Sequence, residues 1–145
     1  MNNFFLWLDR HKDVGVLLLR LFIGGRLIYG VIDNVTNWNH MLQFMYFLQE
    51  FHFPFPLGSA LLSVYAQLLA GILFIFGWKV RYVSLVMIFN FLVAVAVIHR
   101  KDRFEEMTPA LLIVFCCLLF LFQGPGQYSA DQQFGTHLSN KPRDS

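Results

Sequence analysis

Charge is what this sequence has least of. Asp, Glu, Lys and Arg make up 14% of the chain, against about 25% in an ordinary soluble domain. With 57% hydrophobic residues in a chain of 145 and a mean hydropathy of +0.53, a water-soluble fold of this size could not hide its apolar surface. Cysteine is nearly as scarce. The two present, Cys116 and Cys117, are adjacent, so no disulfide framework is available. They read as small apolar residues of a helix. His11, His40, His52, His99 and His137 show no metal-ligand spacing, and CxxC, CxxCH and HExxH are absent; no metal centre or covalent haem is expected. A net charge of +2, scattered along the chain, excludes a nucleic-acid binder. What is abundant is phenylalanine, 17 residues, which suits a surface facing lipid. The chain is read as an integral membrane protein, with the bilayer as its first partner.

Four stretches approach the roughly 20 apolar residues that a spanning helix needs. They run from about Val14 to Asp33, Leu57 to Gly77, Tyr82 to Ile98 and Met107 to Gln123. Pro109 fits the first turn of the last one, where no intrahelical donor is lost. Gly124-Pro125-Gly126 stops it. Between the first two stretches, Met41, Phe44, Met45, Leu48 and Phe51 recur at steps of three and four, the stripe of an amphipathic helix. That helix either lies against the membrane or folds back as a lid. The fold class expected is therefore an all-α membrane protein, an antiparallel four-transmembrane-helix bundle with an added interfacial helix between helices 1 and 2. The domain reading is 1–13 as an N-terminal interfacial segment, 14–131 as the membrane domain and 132–145 as a polar tail.

Basic residues outside the apolar runs set the orientation. Arg10, Lys12, Lys79, Arg81, Lys141 and Arg143 fall on one side, and Arg100, Lys101 and Arg103 on the other. Six against three predicts both termini inside. Trp7, Trp38 and Trp78 each fall near a predicted helix end, as an aromatic belt requires.

Arg20 and Arg26 are the most informative residues, because a central Arg costs about 2.5–3.5 kcal/mol to insert. The bland reading has Arg20 snorkelling to the inner interface and Arg26 pairing with another helix. The sharp reading is a polar intramembrane pocket for an anionic or carbonyl-bearing ligand, lined by Arg20, Arg26, Tyr29, Asp33, Tyr65, Gln67, Asn90 and His99. Arg26 is expected to face the bundle interior, with Asp33, Tyr65, Gln67, Asn90 and Glu105-Glu106 as candidate partners. For Gln67 and Asn90 the plainer expectation is hydrogen bonding between helices, and Ala66, Ala70 and Gly71 point to close packing there. His99 reads either as a proton relay or quinone contact or as a helix C-terminal cap.

These residues resemble the DoxX family of small bacterial membrane proteins. The resemblance rests on Leu18-Leu19-Arg20-Leu21 with Gly24 and Gly30, and on Ala70-Gly71-Ile72-Leu73 with Gly77 and Arg81. It continues through His99 and closes with Gly124-Pro125-Gly126-Gln127-Tyr128-Ser129-Ala130-Asp131. Many members have Lys where this chain has Asp33 and Glu where it has Gln67. The resemblance implies a four-helix bundle in the bacterial cytoplasmic membrane. It also implies an accessory or anchoring subunit for quinone- or thiol-linked redox chemistry; with no cofactor motif in the chain, such a subunit is expected to act with a partner protein and not as a catalyst alone. Quinone is the cofactor it suggests; a homo-oligomer stays open. The alternative is a non-enzymatic scaffold or a small transporter-like protein.

Overall fold

The computed structural model describes residues 3–98 and 103–133. They form six helices: α1 (Asn3–Arg10), α2 (Lys12–Thr36), α3 (Trp38–Glu50), α4 (Pro56–Phe76), α5 (Val80–Val97) and α6 (Phe104–Gln123). Four of them, α2, α4, α5 and α6, are long and apolar enough to cross a membrane. They alternate in direction, giving the expected antiparallel bundle. Among the described residues there is no strand.

Two helix pairs make up the bundle. α2 packs closely on α4 and α5 on α6, while α4 also touches α5 and α2 meets α6 only sparsely. The α2–α4 crossing is set by Gly24 and Gly71. A Cβ on either would lie 2.7 Å from the carbonyl oxygen of the other, so the backbones meet directly, as small residues allow between membrane helices. The bundle core combines Ile23 and Leu27 of α2, Phe74 of α4, Met87 of α5, and Cys117 and Phe120 of α6. Phe74 and Phe120 lie with ring centroids 5.3 Å apart, tying α4 to α6. Cys117 is thus a core residue and Cys116 packs at its margin.

α3 takes the lid alternative. Met41 and Leu48 are buried with Val31 of α2 and with Ala60 and Val64 of α4, and Phe44 and Met45 pack at the edge of that second core. The helix is entered through Asn37, whose side chain accepts from the Asn39 N–H at 2.9 Å, a local cap. Phe4 to Leu8 form α1, whose large side chains are exposed.

α6 begins at Phe104, earlier than the apolar run alone suggests. Pro109 accordingly lies inside the helix and not in its first turn, which leaves the Glu105 carbonyl without its intrahelical donor. Glu105 and Glu106 occupy the first turn, where the helix dipole favours negative charge.

Candidate functional site

At one end of the bundle, the chain after α6 turns back and closes over α2. Arg20 has no solvent-exposed surface. Its Nη2 donates to the Tyr128 carbonyl at 2.6 Å, while Nε and Nη1 are buried without a partner among the described residues. Room for the guanidinium exists because residue 77 is glycine: a Cβ there would run into Arg20 Nη1, and would also lie 2.8 Å from Ser129 Cβ. Gly77 is left-handed with φ +71° and ends α4 in a Schellman arrangement, its N–H reaching Phe74 O at 3.2 Å and the Trp78 N–H reaching Leu73 O at 3.0 Å.

α5 then starts without a side-chain cap of its own. Asp131 supplies one from far along the chain, accepting from the Lys79 N–H at 2.7 Å and the Val80 N–H at 3.1 Å. Its own N–H donates to Gly77 O at 3.1 Å. The turn is also tied to the start of α2, where Asp13 Oδ1 accepts from the Gln127 N–H at 3.3 Å. Arg20, Asp13 and Asp131 therefore clasp the terminal turn to α2 and to the α4–α5 junction. Arg20 does not snorkel; it is the largest fully buried side chain among the described residues.

Arg26 behaves in the opposite way. It is exposed and its guanidinium lies along α2 over Gly30, one turn further on, where a Cβ would be 2.9 Å from Nη1. It lines a polar cleft of about 220 Å³ together with Gln67 of α4, Phe91 of α5, and Glu106, Pro109 and Ile113 of α6. No hydrogen bond or ion pair joins Arg26 to a described residue, so the expected interior partners do not hold it, although Gln67 and Glu106 share its cleft.

A second, apolar cavity of about 350 Å³ lies beneath α3. Phe44, Phe47, Phe53, Phe89 and Phe91 line it, with Ser59, Ser63, Gln67 and Asn90 as its polar members. Gln67 and Phe91 border both cavities. Gln67 Nε2 donates to Ser63 Oγ at 3.1 Å, a bond within α4 and not the inter-helix bond expected. Asn90 makes no hydrogen bond to any described residue. The sequence's candidates thus divide. Gln67 and Asn90 come together at the aromatic cavity, and Arg26 joins Gln67 in the cleft. Arg20 belongs to the other end. Tyr29, 78% exposed, and Tyr65, 52% exposed, border neither cavity, and neither does Asp33, which is also exposed. His99 lies outside the described residues. No three His, Cys, Asp or Glu side chains converge among the described residues.

Sequence reasoning missed Asp13, Tyr128 and Asp131 as one cluster with Arg20, and it missed the ring of Phe side chains under α3. The signal for the first was the terminal turn itself, whose Gly, Ser and Asp residues suit a structured turn more than a tail.

The DoxX family model matches residues 15–100, more than half of the chain. The chain belongs to the DoxX family. It is a multi-pass membrane protein, with both family and helices in agreement. The DoxX match takes in α3, α4, α5 and all but the start of α2, and ends before α6. The aromatic cavity is lined wholly from within the matched residues, whereas the polar cleft also draws on α6, beyond them. No curated protein and no solved structure matches the chain.

Proposed function

We propose that this DoxX-family protein is a subunit of membrane redox chemistry that holds a lipid-soluble, carbonyl-bearing ligand, a quinone, for a partner protein. The aromatic cavity is the observation behind this reading. Its Phe side chains offer ring faces and edges to a planar ring. The amide groups of Asn90 and Gln67 supply N–H donors suited to ring carbonyl oxygens, and Asn90 makes no other hydrogen bond among the described residues. Flavin, haem or copper would come from the partner, since cofactors supply the electron chemistry and the protein positions the ligand. The site residues in this reading are Gln67, Asn90 and Ser63, with Arg26 at the neighbouring cleft; Arg20 is assigned to holding the fold. The six-to-three excess of basic residues supports placement in the bacterial cytoplasmic membrane with both termini cytoplasmic.

Isolation in native lipid, followed by identification of extracted lipid-soluble molecules, tests the reading. A quinone should accompany the wild type and be depleted at least tenfold by Asn90→Leu, the loss of about 1.4 kcal/mol of affinity. Phospholipid alone in the wild type would favour the scaffold or small transporter-like alternative. Quinol oxidation by the purified protein without a partner would overturn the accessory role.

A further inference from the structure

The polar cleft is not needed to hold a quinone, yet it shares a wall with the cavity that would hold one. Glu106 lines it, exposed in the first turn of α6. Arg26 faces the same cleft from α2 without pairing with it. These are the charged groups lining the cleft among the described residues; α4 and α5 contribute Gln67 and Phe91. A volume of about 220 Å³ accommodates several waters at roughly 30 Å³ each. The carboxylate can therefore meet bulk water on one side and a water chain leading to Gln67 on the other. Gln67 is held on the aromatic side by its bond to Ser63, and its carbonyl oxygen, without a partner among the described residues, can order such water. Arg26 and Glu106 share the cleft without a direct ion pair between them.

We propose that Glu106 exchanges protons between bulk water and a quinone in the aromatic cavity, through water in the Arg26–Gln67 cleft. This rests on the quinone reading above. In the reaction, two electrons from the redox partner enter the quinone and its two C=O groups become C–O bonds. The oxygen nearer Gln67 takes its proton by way of the cleft water from the Glu106 carboxyl, whose O–H bond breaks. The other oxygen takes a proton from bulk water. Quinol results, and the Glu106 carboxylate is reprotonated from bulk water. Glu106 is a positioning and relay residue, acting through water.

The test uses the full chain in phosphatidylcholine nanodiscs loaded with decylubiquinone, with electrons supplied by an electrode and a soluble mediator. Decylubiquinone binding, quinol formation against pH, and the redox-induced infrared difference spectrum are recorded. Glu106→Gln should bind the probe as the wild type does, yet form quinol about a hundredfold more slowly, the scale of general acid–base catalysis. Its rate should lose the wild-type pH dependence, and the carboxyl signal should vanish from the spectrum. Glu106→Asp should restore part of the rate. Unchanged rate and pH profile in Glu106→Gln with the probe bound overturn the relay alone. Failure of the wild type to bind decylubiquinone overturns the quinone reading and the relay with it. If Glu106→Gln does not assemble, the wild-type spectrum decides: no carboxyl change on reduction overturns the relay.

Discussion

Removing the Arg20 guanidinium would leave the Tyr128 carbonyl without its 2.6 Å donor. A hydrogen bond to a charged group contributes about 1.5–3 kcal/mol. Two other nitrogens of Arg20 are buried without a partner among the described residues, so their removal offsets part of that loss in global stability. The local effect has no such offset. Arg20→Leu should raise hydrogen exchange in residues 124–133 about tenfold or more, the change that 1.4 kcal/mol or more represents. Gly77→Ala should do the same by a different route, because its methyl group would displace Nη1 and must adopt a left-handed backbone costing about 1–2 kcal/mol. Arg26→Leu should leave exchange in this turn unchanged and alter stability by about 0.5 kcal/mol or less, as exposed, unpaired side chains do. Native-state exchange in detergent distinguishes all three variants. Equal protection in Arg20→Leu and the wild type would show that the clasp does not hold the turn.

The helices themselves were legible in the sequence, because length and hydropathy alone define a span. α3 was legible too, since its stripe alternates with polar residues and both Met41 and Leu48 are buried as the stripe requires. What the sequence hid was which face of each spanning helix points inward. Lipid is as apolar as the core, so hydrophobic periodicity fades. Val16, Arg20, Ile23, Gly24, Leu27 and Val31 form the buried face of α2, and Arg20 lies within it. The neighbouring lipid-facing positions Leu18 and Phe22 are equally apolar. Tyr29 and Tyr65 lie away from both cavities, which hydropathy alone does not reveal. Small residues carry the information that hydropathy loses, and two adjacent glycines test it. A Cβ on Gly24 would be 2.7 Å from Gly71 O and 2.8 Å from Ile75 Cγ1, whereas one on Gly25 would meet nothing within 4 Å. Gly24→Ala should destabilise by about 1–3 kcal/mol, the range for overpacking. Gly25→Ala should be neutral or stabilise by up to about 1 kcal/mol through helix propensity. Unfolding in detergent measures both, and equal losses would mean that α2 and α4 do not cross where Gly24 meets Gly71.

At the scale of the molecule, the two ends of the bundle differ in kind. One end is closed by the terminal turn, with Asp13, Arg20 and Asp131 tied to backbone groups. The other end holds α3, the aromatic cavity and the polar cleft. Lys12, Lys79 and Arg81 stand at the closed end, and Arg103 precedes α6 at the other. Each Lys or Arg near an anionic cytoplasmic leaflet contributes about 1 kcal/mol, so a six-to-three excess amounts to about 3 kcal/mol of orientation preference. The closed end should therefore face the cytoplasm, and α3 and both cavities should lie toward the outer leaflet. Single cysteines at Asn2, Asn39 and Ser139, in a Cys116→Ala/Cys117→Ala background, report this directly. Asn39, exposed at the start of α3, should react with a membrane-impermeant maleimide in intact cells. Asn2 and Ser139 should react only after the membrane is opened. The reverse pattern would place the aromatic cavity at the cytoplasmic leaflet and Glu106 in contact with cytoplasmic water, so that any proton taken up through the cleft would come from inside the cell. Labelling thus fixes the side from which protons enter, a consequence that the charge count alone makes specific.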